Sequence, residues 1–191
     1  MTVTVYAASS SQIDSVYFQA AEKLGELFAQ QQIHCINGAG KKGLMAAITD
    51  AVLKNGGEVT GIIPEFMLQE GWCHDSLTER IVTQDMHTRK QLMAQKSDAC
   101  IALPGGVGTL EELLEVITWK QLGLYTKPII IFNVKHYYDD LLKMLQKSET
   151  EKFIHHQHST IWLVAETPEE AVELALQNSD WHENPRSFAA L

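Results

Sequence analysis

What most constrains this chain is an alternation, repeated along its length, of short apolar runs with segments whose apolar residues recur every three to four positions. Residues 2–7 read as a strand and 13–31 as a helix, with Val16, Ala20, Leu24, Leu27 and Phe28 on one stripe. Further strands are expected at 33–37, 58–63, 77–82, 99–103, 128–133 and 161–164, with helices at 44–54, 86–95, 109–122, 137–146 and 168–176. Asn55-Gly56-Gly57 is a clear stop, and 64–74 reads as irregular or partly helical. Strands that alternate with helices build a parallel sheet through right-handed crossovers, covered on both faces. Ligands of such α/β sheets sit at the carboxyl ends of the strands, near a switch in strand order.

A length of 191 residues fits one domain, expected over 1–181, with a loose tail over 182–191. The net charge of −9 disfavours a nucleic-acid or anionic-membrane partner, because both need clustered cations. Any phosphate site must therefore be local. Cys35, Cys73 and Cys100 are odd in number and make no CxxC, so neither a disulfide framework nor a zinc site follows. Cys35 and Cys100 lie in apolar runs and read as buried thiols. The opening MTVTVYAASSS has no basic stretch and no long apolar run, so it is not read as a signal peptide. No run of about 18 apolar residues exists to span a membrane. A reducing cytoplasm is the expected location.

The strongest local signal is Leu103-Pro104-Gly105-Gly106-Val107-Gly108-Thr109-Leu110-Glu111-Glu112, where a strand runs through three glycines into a helix. Glycines let backbone amides approach a ligand, and a helix start offers unpaired N–H donors and partial positive charge. The combination suits an anion, most simply phosphate, although a tight strand-to-helix turn would also be glycine-rich. The loop is neither a Walker A motif nor GxGxxG. Thr109-x-x-Glu112 has the spacing of a capping box, which on spacing alone explains Glu112 better than catalysis does.

A second signal is Asp85-Met86-His87-Thr88-Arg89-Lys90. With Asp85 as N-cap, Arg89 and Lys90 fall in or near the first helical turn, where cations oppose the helix dipole. An anionic ligand would offset that cost; so would a solvated face with Glu79 or Asp98 as partner. Gly38-Ala39-Gly40-Lys41-Lys42-Gly43 matches GxGxxG, and Glu65 lies 22 residues beyond Gly43, which opens a rival NAD(P) reading. That turn follows the second strand, however, and carries two lysines. Ser9-Ser10-Ser11 could meet a nucleotide or form the N-cap loop of the next helix. His155-His156-Gln157-His158 lacks carboxylate or Cys ligands at metal spacing and reads as a solvated loop.

Pro104 to Glu112, Met86 to Lys90 and Thr118-Trp119-Lys120-Gln121-Leu122-Gly123 together resemble the LONELY GUY (LOG) family of cytokinin riboside 5′-monophosphate phosphoribohydrolases, long labelled lysine decarboxylase-like. Gly43-Leu44-Met45 and Lys127-Pro128 fit the same pattern. The resemblance implies a Rossmann-like three-layer αβα sandwich with a mostly parallel sheet, acting as a homodimer. It implies cleavage of the N-glycosidic bond of AMP or an N6-modified AMP, giving free base and ribose 5-phosphate. Arg89 and Glu112 would be the catalytic pair. Gly105, Gly106, Gly108 and Thr109 would hold the 5′-phosphate, with Ser10, Met86, Arg89 and Lys90 lining the nucleotide site. No metal or other cofactor is required. Two departures lie beside the nucleotide: the family's CGSS is here Ala7-Ala8-Ser9-Ser10, and its GGG turn is Gly38-Ala39-Gly40.

The chemistry fits the residues. Glycosidic cleavage passes through an oxocarbenium-like transition state, which a carboxylate stabilises while orienting water. An adjacent guanidinium can stabilise charge on the departing base or hold the carboxylate. Lysine decarboxylation would need a pyridoxal Schiff-base Lys, and nothing in the sequence marks one. A carrier that binds nucleotide without turning it over is the alternative of a different class, and an NAD(P)-dependent enzyme is a third.

Overall fold

The computed structural model describes residues 1–177; the expected tail at 182–191 and the last residues of the expected domain lie outside them. Seven strands form one sheet: β1 (Thr2–Tyr6), β2 (His34–Asn37), β3 (Val59–Pro64), β4 (Glu79–Thr83), β5 (Ala99–Ala102), β6 (Ile129–Phe132) and β7 (Leu163–Ala165). Their order is β4-β3-β2-β1-β5-β6-β7, and every pairing is parallel. The helices are α1 (Ser15–Gln30), α2 (Gly43–Lys54), α3 (Glu65–Gln69), α4 (Met86–Lys96), α5 (Val107–Gln121), α6 (Asp139–Thr150) and α7 (Pro168–Leu176).

Two apolar layers enclose the sheet, and the two-residue period of a strand explains why. On β1, Val3 and Val5 face a core built with Leu24 and Phe28 of α1, Leu44, Ile48 and Val52 of α2, and Ala171 and Val172 of α7. Tyr6 faces the opposite way, into a core with Met93 of α4 and Leu113, Val116 and Ile117 of α5. Thr4, also on that side and fully buried, donates its hydroxyl to the carbonyl of Met93 at 2.8 Å. The expected α/β class, parallel sheet and three layers are thus present.

Several boundaries move for identifiable reasons. The expected 109–122 helix begins two residues earlier, at Val107, with Gly106 as N-cap. The expected 137–146 helix begins at Asp139 and continues to Thr150, leaving Tyr137 and Tyr138 in the turn before it. The 64–74 segment contains the short helix α3. Asp14, not the serine run, caps α1, its carboxylate accepting from the Val16 amide at 3.1 Å.

The strand order reverses direction at β1, whose two neighbours are β2 and β5. The segments after β1, β2, β3 and β5 therefore leave from the same edge of a parallel sheet. That edge is where a crevice is expected.

Candidate active site

The glycine loop leaves β5 at this edge. Gly105 must be glycine, because a methyl group there would collide with the Thr109 side chain folded back over it. Gly106, Val107 and Gly108 are exposed, and a methyl at Gly106 or Gly108 would meet only open space. No side chain caps the amides that open α5. The capping box is overturned: Thr109 is the third residue of the helix and Glu112 lies in its second turn. Freed from capping, Glu112 turns toward α4.

Asp85 is the N-cap of α4, as expected, accepting from the Thr88 amide at 2.7 Å. Arg89 and Lys90 follow in the second turn, and both are buried. Their partners are neither Glu79 nor Asp98. Glu79 accepts from Thr60, and Asp98 from the Thr2 amide. Instead, both cations reach across to α5. Lys90 Nζ is held by Glu111 and Glu115; burial opposes its charge, but the two carboxylates outweigh that and raise its pKa. Lys90 thus clamps α4 to α5. Arg89 Nη2 lies 3.3 Å from Glu112 Oε1, and both side chains are more than nine-tenths buried. Burial pushes the Glu112 carboxyl up to about 7, against the pull of the Arg89 guanidinium. Arg89 Nη1 faces Met86 Sδ at 3.5 Å, while its Nε, also buried, has no hydrogen-bond partner among the described residues. An unpaired buried donor is costly. Arg89 also lines a cavity.

That cavity, of about 560 Å³, is walled by Met45, Ile63, Met67 and Trp72, with Arg89 and Ser9 also on its lining. Gly38 forms part of the floor, and its lack of a side chain admits the Arg89 guanidinium, which a methyl group would strike. Lys41, Lys42 and Glu70 contribute charge to the lining. Ser10 is exposed, its hydroxyl accepting from the Gln12 amide at 3.3 Å, so the serine on the cavity wall is its neighbour Ser9. The second glycine turn and the start of α2 have several of their amides committed within the protein. Ala39 N–H donates to Asn37 Oδ1, and the Leu44 and Met45 amides at the start of α2 donate to the Ala8 carbonyl. Those are the donors a pyrophosphate would need.

Two residues expected only as the start of the 137–146 helix support the glycine loop. Tyr137 Oη donates to the Gly105 carbonyl at 2.8 Å, and Tyr138 Oη to the Leu103 carbonyl at 2.7 Å. No periodicity signals them, since 32 and 35 residues separate each from its acceptor.

The class is thereby defined: a Rossmann-like α/β protein in which an open, glycine-hinged helix start adjoins a buried guanidinium–carboxylate pair and a half-apolar cavity. A family model described as "possible lysine decarboxylase" matches residues 45–175. A probable cytokinin riboside 5′-monophosphate phosphoribohydrolase of Oryza sativa subsp. japonica is 41% identical over 181 residues, covering 95% of this chain and 74% of that protein. The enzyme so named from Rhodococcoides fascians is 43% identical, covering 80% and 78%, and one from Arabidopsis thaliana is 41% identical, covering 95% and 85%. The chain belongs to the LOG family of cytokinin riboside 5′-monophosphate phosphoribohydrolases, whose older family label is lysine decarboxylase-like. Among solved structures, a molybdenum cofactor binding protein of Rippkaea orientalis superposes with a TM-score of 0.66 at 25% identity, covering 91% and 92% of the two chains. The molybdenum cofactor carrier protein of Chlamydomonas reinhardtii gives 0.69 at 18% identity, covering 90% and 93%, a likeness of fold.

Proposed function

We propose that this protein hydrolyses the N-glycosidic bond of AMP or an N6-modified AMP, releasing free base and ribose 5-phosphate, as an N-glycosidase of nucleoside 5′-monophosphates. The observation that carries the reading is the buried Arg89–Glu112 pair, held at 3.3 Å beside the open start of α5. The phosphate is gripped by the loop amides at Gly106 and Gly108 and by Thr109. The ribose lies against the pair, and the base enters the cavity walled by Met45, Ile63, Met67 and Trp72. As the C1′–N bond breaks, its electron pair leaves with the base. Ionised Glu112 stabilises the positive charge at C1′ and accepts a proton from the water whose oxygen bonds to C1′; that proton then passes from Glu112 to the departing base, which leaves neutral and returns Glu112 to its carboxylate. Arg89 holds Glu112 and lines the cavity that receives the substrate. The homodimer that family membership suggests is supported by exposed apolar side chains at Leu114, Leu122 and Leu124 along and just beyond α5.

Decarboxylase chemistry has less support. Burial pulls the Lys120 amine down to about 8, but that amine donates to the Lys127 carbonyl at the far end of α5 from the glycine loop. The test is chromatography of products after incubation with AMP and N6-substituted AMPs. Base and ribose 5-phosphate should appear in equal amounts, at a rate rising with pH through about 7 as Glu112 ionises. Glu112→Gln should lower turnover at least about 100-fold with the fold intact. An unchanged rate in that variant rejects the assignment of Glu112, and AMP retained without release of base makes the protein a carrier.

A further inference from the structure

We infer that Tyr137 is a positioning residue that aims the glycine loop at the phosphate; this rests on the phosphate-binding part of the proposed function. The turn that carries it, between β6 and α6, is held in a conformation its residues do not favour. Lys135 and His136 have φ of 54° and 58°, the left-handed region, and neither is glycine. Such backbone persists only where surrounding contacts over-determine it. Asn133 supplies two of them: its Oδ1 accepts from the Tyr138 amide at 2.7 Å and its Nδ2 donates to Asp139 at 2.9 Å. Lys135 Nζ supplies another, an ion pair of 2.6 Å with Asp14 at the N-cap of α1. The result is that two consecutive tyrosines both reach the segment after β5.

Their roles differ. Tyr138 is 1% exposed and contributes burial as well as its hydrogen bond to Leu103. Tyr137 is 45% exposed, and its ring meets Tyr17 and Tyr138 edge-on. A half-exposed ring adds little to the core, so the hydroxyl bond to the Gly105 carbonyl is its distinctive contact. That bond has a geometric consequence. The peptide joining Gly105 to Gly106 is planar and trans, so its carbonyl and its N–H point in opposite directions. Pinning the Gly105 oxygen to Tyr137 turns the Gly106 N–H away from Tyr137, toward the exposed side of the loop. The donor is thereby oriented before an anion arrives, and the ordering cost of binding is reduced.

The test compares Tyr137→Phe, Tyr138→Phe and the unmodified protein by calorimetric titration with ribose 5-phosphate and by AMP kinetics, well below the unfolding midpoint. Losing one preorganising hydrogen bond should weaken ribose 5-phosphate binding in Tyr137→Phe about five- to tenfold. The KM for AMP should rise in parallel while kcat stays within about twofold, and the melting temperature should change little. Tyr138→Phe should mainly lower the melting temperature. Unchanged ribose 5-phosphate affinity in folded Tyr137→Phe overturns the inference, as does a fall in kcat at constant KM. Failure of the unmodified protein to bind ribose 5-phosphate overturns it together with the phosphate reading. If ribose 5-phosphate binds, weakens in Tyr137→Phe, and AMP is nevertheless not cleaved, the inference stands and the hydrolase reading falls.

Discussion

At the scale of single residues, the site depends on what is missing at Gly38. The guanidinium of Arg89 occupies the space that a side chain there would take. Because the obstructed atoms are the far end of a flexible side chain, Gly38→Ala should cost little stability. It should instead push Arg89 off Glu112. Displacing a catalytic group by about 1 Å is worth on the order of 100-fold in rate, so a 10- to 100-fold loss of kcat/KM is expected, with a melting temperature within a few degrees of the parent. A large loss of stability with unimpaired kcat/KM would show that the cavity floor is structural only. The neighbouring Ala39, where the family has glycine, sits at φ 61° and is fully buried, its amide held by the Asn37 side chain. The departure is therefore accommodated locally.

At the scale of elements, α4 and α5 form one unit. Arg89 and Lys90 on α4 meet Glu112, Glu111 and Glu115 on α5. The other end of α4 is fastened by Lys127, whose ammonium accepts the role of a C-cap by donating to the carbonyls of Ala94, Gln95 and Ser97. The turn between β6 and α6 illustrates the opposite case, an element carrying strain. His136 pays roughly 1–2 kcal/mol for its left-handed backbone. Its contact with Asp139, at 3.6 Å and largely exposed, adds little. His136→Gly relieves the strain and costs about 0.4–1 kcal/mol in unfolded-chain entropy. The net expectation is a gain of about 0.5–1 kcal/mol, read as a rise of a few degrees in melting temperature. A fall would mean that the Asp139 contact outweighs the strain.

At the scale of the whole molecule, burying Glu112 links folding to pH. Its carboxyl moves from 4.5 to about 7 on folding. A raised carboxyl pKa gives stability that is fully present below about 4.5 and lost as pH rises through about 7. The stability of the parent relative to Glu112→Gln should therefore fall by roughly 3 kcal/mol between pH 4.5 and 8, measured by urea unfolding at each pH; a difference independent of pH would place the carboxylate in water. How much of the molecule was legible in advance follows from what local pattern encodes. Alternating stripes and runs report which faces are buried, so the parallel sheet, its two covering layers and the α1 stripe that buries Leu24 and Phe28 could be read directly. The Pro104–Glu112 loop was legible because its chemistry is contiguous. The pairing of Arg89 with Glu112 was expected from the family resemblance and not from periodicity; the capture of Lys90 by Glu111 and Glu115 and the support from Tyr137 were not legible at all. Periodicity says that a face is covered and is silent on what covers it. The sequence by itself determined the layers and the glycine-hinged helix start; only tertiary structure, by setting β5 beside β1 and laying α4 against α5, decided which distant side chains share the buried space around Arg89.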